Sequence, residues 1–157
     1  MSSLVTVPIL MKDYSRLHEL YFPPFSHFKL NEVVCTSMGD KYRYSNFAQF
    51  LKPDVFYNSI LVLHILQYLR DFVVCGPIYI SSFVRSPETN SAVGGVANSD
   101  HLKGCAVDIR TNEMSDGLVR NVISRLEKLR AFGLVRFIQY NPDKSYIHIS
   151  IYDTFPY

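Results

Sequence analysis

The run Ala106-Val107-Asp108-Ile109 sets a carboxylate in the middle of an apolar segment. An ionised carboxyl taken out of water is costly unless donors, cations or a metal compensate it, so a fold for this chain must bring partners to Asp108. In "YIHISI", Tyr146, His148 and Ser150 alternate with Ile147, Ile149 and Ile151. A strand sends alternate side chains to opposite faces, so one face is an apolar row for a core and the other displays His148. The same parity sets Asp108 opposite Val107 and Ile109, with His101 in the loop-like run just before. Two imidazoles and one carboxylate are thereby offered from two strands and a loop, the donor set of an open catalytic zinc site whose fourth position is left for water.

The rest of the chain supplies a scaffold for such strands. "PDVFYNSILVLHILQYLRDF", from Pro53 to about Phe72, begins with proline at a first helical position and is apolar on most sides, which predicts a central buried helix. "PIYISSFV" (Pro77 to Val84) is β-branched and aromatic enough for a strand. "SPETNSAVGG" then offers Ser86 as N-cap, Pro87 next, and Gly94 as terminator of a short helix. "GCAVDIR" predicts a short, mostly buried strand. Ser115 caps a helix in which Val119, Val122, Ile123, Leu126 and Leu129 recur at helical spacing up to Gly133. "LVRFIQY" and "SYIHISIY", joined by "NPDK", predict a β-hairpin. With 157 residues and 48% hydrophobic content there is material for one core. The expected class is α+β: a single domain at 29–157, with a small antiparallel sheet packed against helices, preceded by an irregular aromatic and proline-rich arm at 1–28.

Several function classes are disfavoured. The 16 basic and 14 acidic residues leave a net charge of +2 and are scattered, which speaks against a nucleic-acid groove. "SILVLHILQYL" is too short to span a bilayer, and the N-terminus lacks the pattern of a secretory signal, so the expectation is synthesis in a cytoplasm without membrane insertion. Cys35, Cys75 and Cys105 are odd in number and show no C-x-x-C spacing, and are expected to be buried thiols. His64 is expected to be a core histidine, His18 and His27 to lie on the surface arm, and Lys103 to be a solvated loop residue.

"RSPETNSAVGGVANSDHLKGCAVDI", followed by "YIHISI", resembles the zinc D-Ala-D-Ala carboxypeptidase family, in the branch common among phage murein peptidases. The likeness is carried by Arg85, Ser86, Pro87, Asn90, Val93, Gly94, Gly95, Ser99, His101, Gly104, Ala106, Asp108 and His148. It is detailed over about 77–151, and "FKLNEVV" (Phe28 to Val34) is similar to the short helix that opens the family domain. The resemblance implies the fold shared by these peptidases and the Hedgehog signalling domain, with zinc held by His101, Asp108 and His148. It also implies that Arg85 holds the substrate carbonyl or the developing oxyanion, and that Ser99 hydrogen-bonds near the site as a substrate contact. The activity implied is cleavage of peptidoglycan stem peptides at bonds involving D-amino acids, as a carboxypeptidase or an endolysin-like endopeptidase acting at a cell wall or in a virion.

Two departures bear on that activity. Phe83-Val84 stands where the family has a glycine-aromatic pair before the arginine, so the pocket wall differs. Family members also place Glu or Asp three residues before the last histidine as general base. That position is Ser145, and the nearest carboxylate is Asp143 in the turn, the candidate replacement. The alternative is a non-catalytic murein-binding or virion structural module that keeps the zinc site and lacks the base.

Overall fold

The computed structural model of the chain describes residues 27–153. Within them the order is α1 (Leu30–Val33), α2 (Asp40–Phe50), α3 (Pro53–Leu69), β1 (Ile80–Ser82), α4 (Pro87–Ala92), β2 (Ala106–Arg110), α5 (Asp116–Ala131), β3 (Phe137–Asn141) and β4 (Tyr146–Ser150). The four strands pair antiparallel in the order β1-β2-β4-β3, so the expected α+β architecture is the one observed. Residues 1–26 of the expected arm, His18 among them, lie outside the described residues.

Local chemistry sets the element ends. Ser86 Oγ accepts from Thr89 N at 3.1 Å and Ser115 Oγ accepts from Leu118 N at 3.1 Å, each satisfying a donor that the helix leaves unpaired. Gly94 and Gly133 leave α4 and α5 with φ of 73° and 81°, the left-handed region that glycine enters without steric cost. In the hairpin turn, Asn141 Oδ1 accepts from Lys144 N at 3.0 Å, and Ser145 has φ 56°.

The sheet divides its faces as the alternation of "YIHISI" requires. Val107, Ile109, Ile147 and Ile149 are at most 1% exposed and share one apolar cluster with Leu63, Leu66, Val122 and Leu126 from α3 and α5. Each such side chain contributes about 1.5–3 kcal/mol by leaving water, and that face fixes the register. In this register Asp108 stands directly across from His148, and His148 directly across from Gln139.

Some expectations are corrected. The long helix buries one face, through Val55, Asn58, Ser59, Val62, Leu63, Leu66 and Leu69, while Phe56, Tyr57 and His64 are exposed; His64 is not a core residue. Beyond Leu69 the helix widens into a π-turn, Arg70–Val74, that stops at Cys75 with φ 53°. The strand expected over 77–84 shrinks to three residues, because its C-terminal part leaves the sheet: Val84 N donates to Val33 O and Arg85 N to His101 O. At the end of the expected arm Phe28 packs into the core, and His27 is exposed, as expected, and hydrogen-bonds to Gln67. Among the cysteines only Cys105 is buried; Cys35 is half-buried and Cys75 exposed. Lys103 is exposed, as expected of a solvated loop lysine.

Burial pushes the Cys105 thiol up to about 12 and the Cys35 thiol up to about 11, with nearby carboxylates adding to both. Since the thiolate is the nucleophile, Cys75 is expected to be alkylated first in the native protein at pH 8, and Cys35 and Cys105 only after denaturation. Mass spectrometry of a labelling time course checks this; early modification of Cys105 would contradict its packing.

Candidate metal centre

His101 sits on a 3-10 turn, Asp100–Lys103, whose N-cap is Ser99; the Ser99 Oγ accepts from His101 N at 3.3 Å. Buried amides hold this turn from beneath. Gln49 Nε2 of α2 donates to Leu102 O at 2.7 Å, and Asn58 Nδ2 of α3 donates to Lys103 O at 3.2 Å. Arg136 ion-pairs with Asp100 beside them. Gly104 closes the turn with φ 70°, and a Cβ there would lie 2.5 Å from Ser59 Oγ and 2.6 Å from Val55 O. Glycine is thus required twice, for conformation and for the close approach to α3.

His101 is 2% exposed, and its Nδ1 lies 2.7 Å from Phe83 O. A carbonyl only accepts, so Nδ1 carries the proton and the lone pair is on Nε2. That Nε2 faces Asp108 Oδ2 at 3.3 Å, while His148 Nδ1 faces Asp108 Oδ1 at 2.7 Å. One ligand atom from each of His101, Asp108 and His148 lies within 4.8 Å of the others. A carboxylate flanked by two imidazole nitrogens, one with its lone pair already aimed inward, is a donor set suited to a divalent cation, and the nitrogen and oxygen types suit zinc. The structure therefore brings together the three residues expected as metal ligands.

The profile of the peptidase M15 family matches residues 26–150. The chain belongs to that family. A search of curated proteins gave no match.

In this M15 chain the fourth side chain at the centre is Arg85. Its Nη2 is 3.7 Å from Asp108 Oδ2, its Nε donates to Ser82 Oγ at 3.0 Å, and its Nη1 donates to Asn90 Oδ1 at 3.3 Å. Asn90 is itself fixed by donating to Val96 O at 2.8 Å. Gly95 is where a glycine's lack of a side chain matters most: a Cβ would overlap the Asn90 carboxamide and stand 3.2 Å from the guanidinium. Its role is close approach; of the Gly94-Gly95 pair, Gly94 alone has a positive φ.

Burial raises the Asp108 carboxyl, but the two imidazoles beside it, His101 and His148, more than reverse this and hold it well below the usual carboxylate range. Burial pulls the Arg85 guanidinium down from its ordinary value, with Asp108 opposing. Both groups stay ionised at neutral pH.

The remaining candidates lie around this cluster. Ser99 Oγ caps the His101 turn, so it hydrogen-bonds next to the site. Asp143 is exposed in the hairpin turn and does not join the ligand cluster. Ser145, half-buried, stands where the resemblance expects the base. Gln49, Asn58 and the Phe83 carbonyl carry no sign of these roles in the sequence. The first two are polar residues at buried positions with no motif to mark them, and a backbone carbonyl leaves no trace in residue identity.

Gly104→Ala is expected to lower stability by about 1–3 kcal/mol through the left-handed backbone alone, and further through overlap with Ser59. Metal affinity should fall with it, since the turn carries His101. A melting temperature equal to the parent's would refute the double constraint on this position.

Proposed function

We propose that the protein is a zinc-dependent peptidase that hydrolyses peptidoglycan stem peptides at bonds involving D-amino acids. The observation that supports this best is the convergence of His101, Asp108 and His148 within 4.8 Å in an M15 chain, with the Arg85 guanidinium beside them. His101, Asp108 and His148 would hold the metal, and zinc bound there would supply a water acidified toward neutrality and polarise the scissile carbonyl.

The chain's own groups set the rest. Arg85, oriented by Ser82 and Asn90, is a fixed positive charge for the oxygen that becomes negative as the carbonyl is attacked. Because it is already in place, little reorganisation accompanies that charge. The narrow side of the proposal is the proton: with Ser145 in the base position and Asp143 on the exposed turn, no second carboxylate joins the cluster among the described residues. Turnover by the parent is accordingly expected to be slow. The place of action in this reading is the cell wall or a virion. No helix among the described residues is long and apolar enough to cross a membrane.

Ser145 also favours a second reading, in which the domain binds murein and does not cut it. Digestion of purified muropeptides by zinc-loaded protein separates the two: released D-amino acid or a cleaved cross-link supports the peptidase, while wall binding without product supports the binding module.

His101→Ala and Asp108→Ala are each expected to lower zinc content sharply by elemental analysis; a content equal to the parent's would remove the ligand assignment. Arg85→Lys keeps charge but loses the planar fork that reaches Ser82 and Asn90, so activity or wall affinity should fall while the melting curve holds. Ser145→Glu is expected to raise peptide cleavage by about 10²–10⁴-fold, the usual worth of general acid–base catalysis, whereas Asp143→Asn should change it less than about tenfold. No gain in Ser145→Glu with zinc retained favours the binding module; a large loss in Asp143→Asn would return the base to the turn.

A further inference from the structure

Ser150 is fully buried on β4, two residues past His148 and on the same face. Across the sheet its neighbours are Ala106 on one side and Phe137 on the other, neither of which offers a polar side chain. A hydroxyl in such a place needs a partner, and among the described residues its partner is the His148 ring: Nε2 to Ser150 Oγ is 2.8 Å. Both nitrogens of His148 are therefore engaged, Nδ1 against Asp108 at 2.7 Å and Nε2 against Ser150.

The two histidines of the centre are mirror images in this respect. Phe83 O fixes the proton of His101 on Nδ1 and leaves Nε2 toward Asp108. His148 presents Nδ1 to the same carboxylate, so a metal held there would take the Nδ1 lone pair and leave the ring proton on Nε2. The connectivity Asp108–His148–Ser150 also matches that of a serine hydrolase triad, but a hydroxyl with no exposed surface cannot reach a substrate carbonyl.

We infer that Ser150 is a positioning residue of the metal centre: its hydroxyl, 2.8 Å from Nε2, holds the orientation of the His148 ring and accepts the Nε2 proton when Nδ1 is taken by a metal. This rests on the metal-dependent reading above. The partner that orients His148 is thus a side-chain hydroxyl on β4, where His101 has a backbone carbonyl. Unlike that carbonyl, it is open to mutation.

The test uses the full chain, stripped of metal and titrated with zinc against a competing chelator. Ser150→Ala is expected to weaken zinc binding by about 10–100-fold, the usual effect of removing such an outer partner, and Ser150→Thr, which keeps the hydroxyl, to restore it to within a few-fold. Two-bond proton–nitrogen correlation spectra of the zinc-loaded parent should show His148 protonated at Nε2 and His101 protonated at Nδ1. Equal zinc affinity in Ser150→Ala and parent, or a loaded parent whose His148 carries its proton on Nδ1, overturns the role of Ser150 and leaves the metal reading standing. A parent that takes up no zinc overturns the metal reading and this role together. The spectrum of the parent requires no variant, so the inference stays testable whatever Ser150→Ala does to folding.

Discussion

A carboxylate on a central strand, its surface nearly all withdrawn from water, is the constraint around which the molecule is organised. Asp108 is 8% exposed, and two imidazoles and a guanidinium are arranged about its two oxygens. Removing any one of them leaves charge that water no longer covers, which is why the partners are themselves fixed: His101 by a backbone carbonyl, His148 by Ser150, and Arg85 by Ser82 and Asn90. Buried amides of α2 and α3 in turn hold the loop that carries His101. Much of the polar interior thus serves one carboxyl group.

The parts of this arrangement visible in the sequence are those in which side-chain identity and backbone geometry coincide. Strict alternation at "YIHISI" fixed the face of His148, because one strand face is buried and the other is not. Ser86 and Ser115 were readable as caps because a hydroxyl at that position has one obvious use. What stayed hidden was set by tertiary contacts. α2 escaped notice because Asn46 and Gln49 occupy buried positions where a helical pattern would show apolar residues; Asn46 accepts from Ser86 N and donates to Val34 O. β1 looked longer than it is because Val84 and Arg85 give their amides to α1 and the His101 turn, and composition does not distinguish these partners from a strand. His64 lies within an apolar run yet faces water, since a helix on the rim of a core buries only one side.

The site divides the same way. The ligand triad and Arg85 were marked by motif and parity, and they meet. Which nitrogen of each histidine faces the carboxylate depends on what touches the other side of the ring, and that emerges only once β4 lies beside β2 and Phe83 beside the turn. The position of Asp143 was likewise a matter of turn geometry: the chain reverses through an Asn141 side-chain bond and a left-handed Ser145, leaving the carboxylate in solvent.

The pairing of β2 with β4 across α5 and β3 also orders events in time. Asp108 and His148 are 40 positions apart in the chain, so they meet only after a long loop has closed, and closure entropy is lost before that contact returns anything. A nascent chain that has emerged only as far as α5 carries His101 and Asp108 but neither His148 nor Ser150. Assembly of the His101–Asp108–His148 cluster is therefore among the last steps of folding, and a protease nick that lets β4 drift away would take it apart even if the helices remained packed.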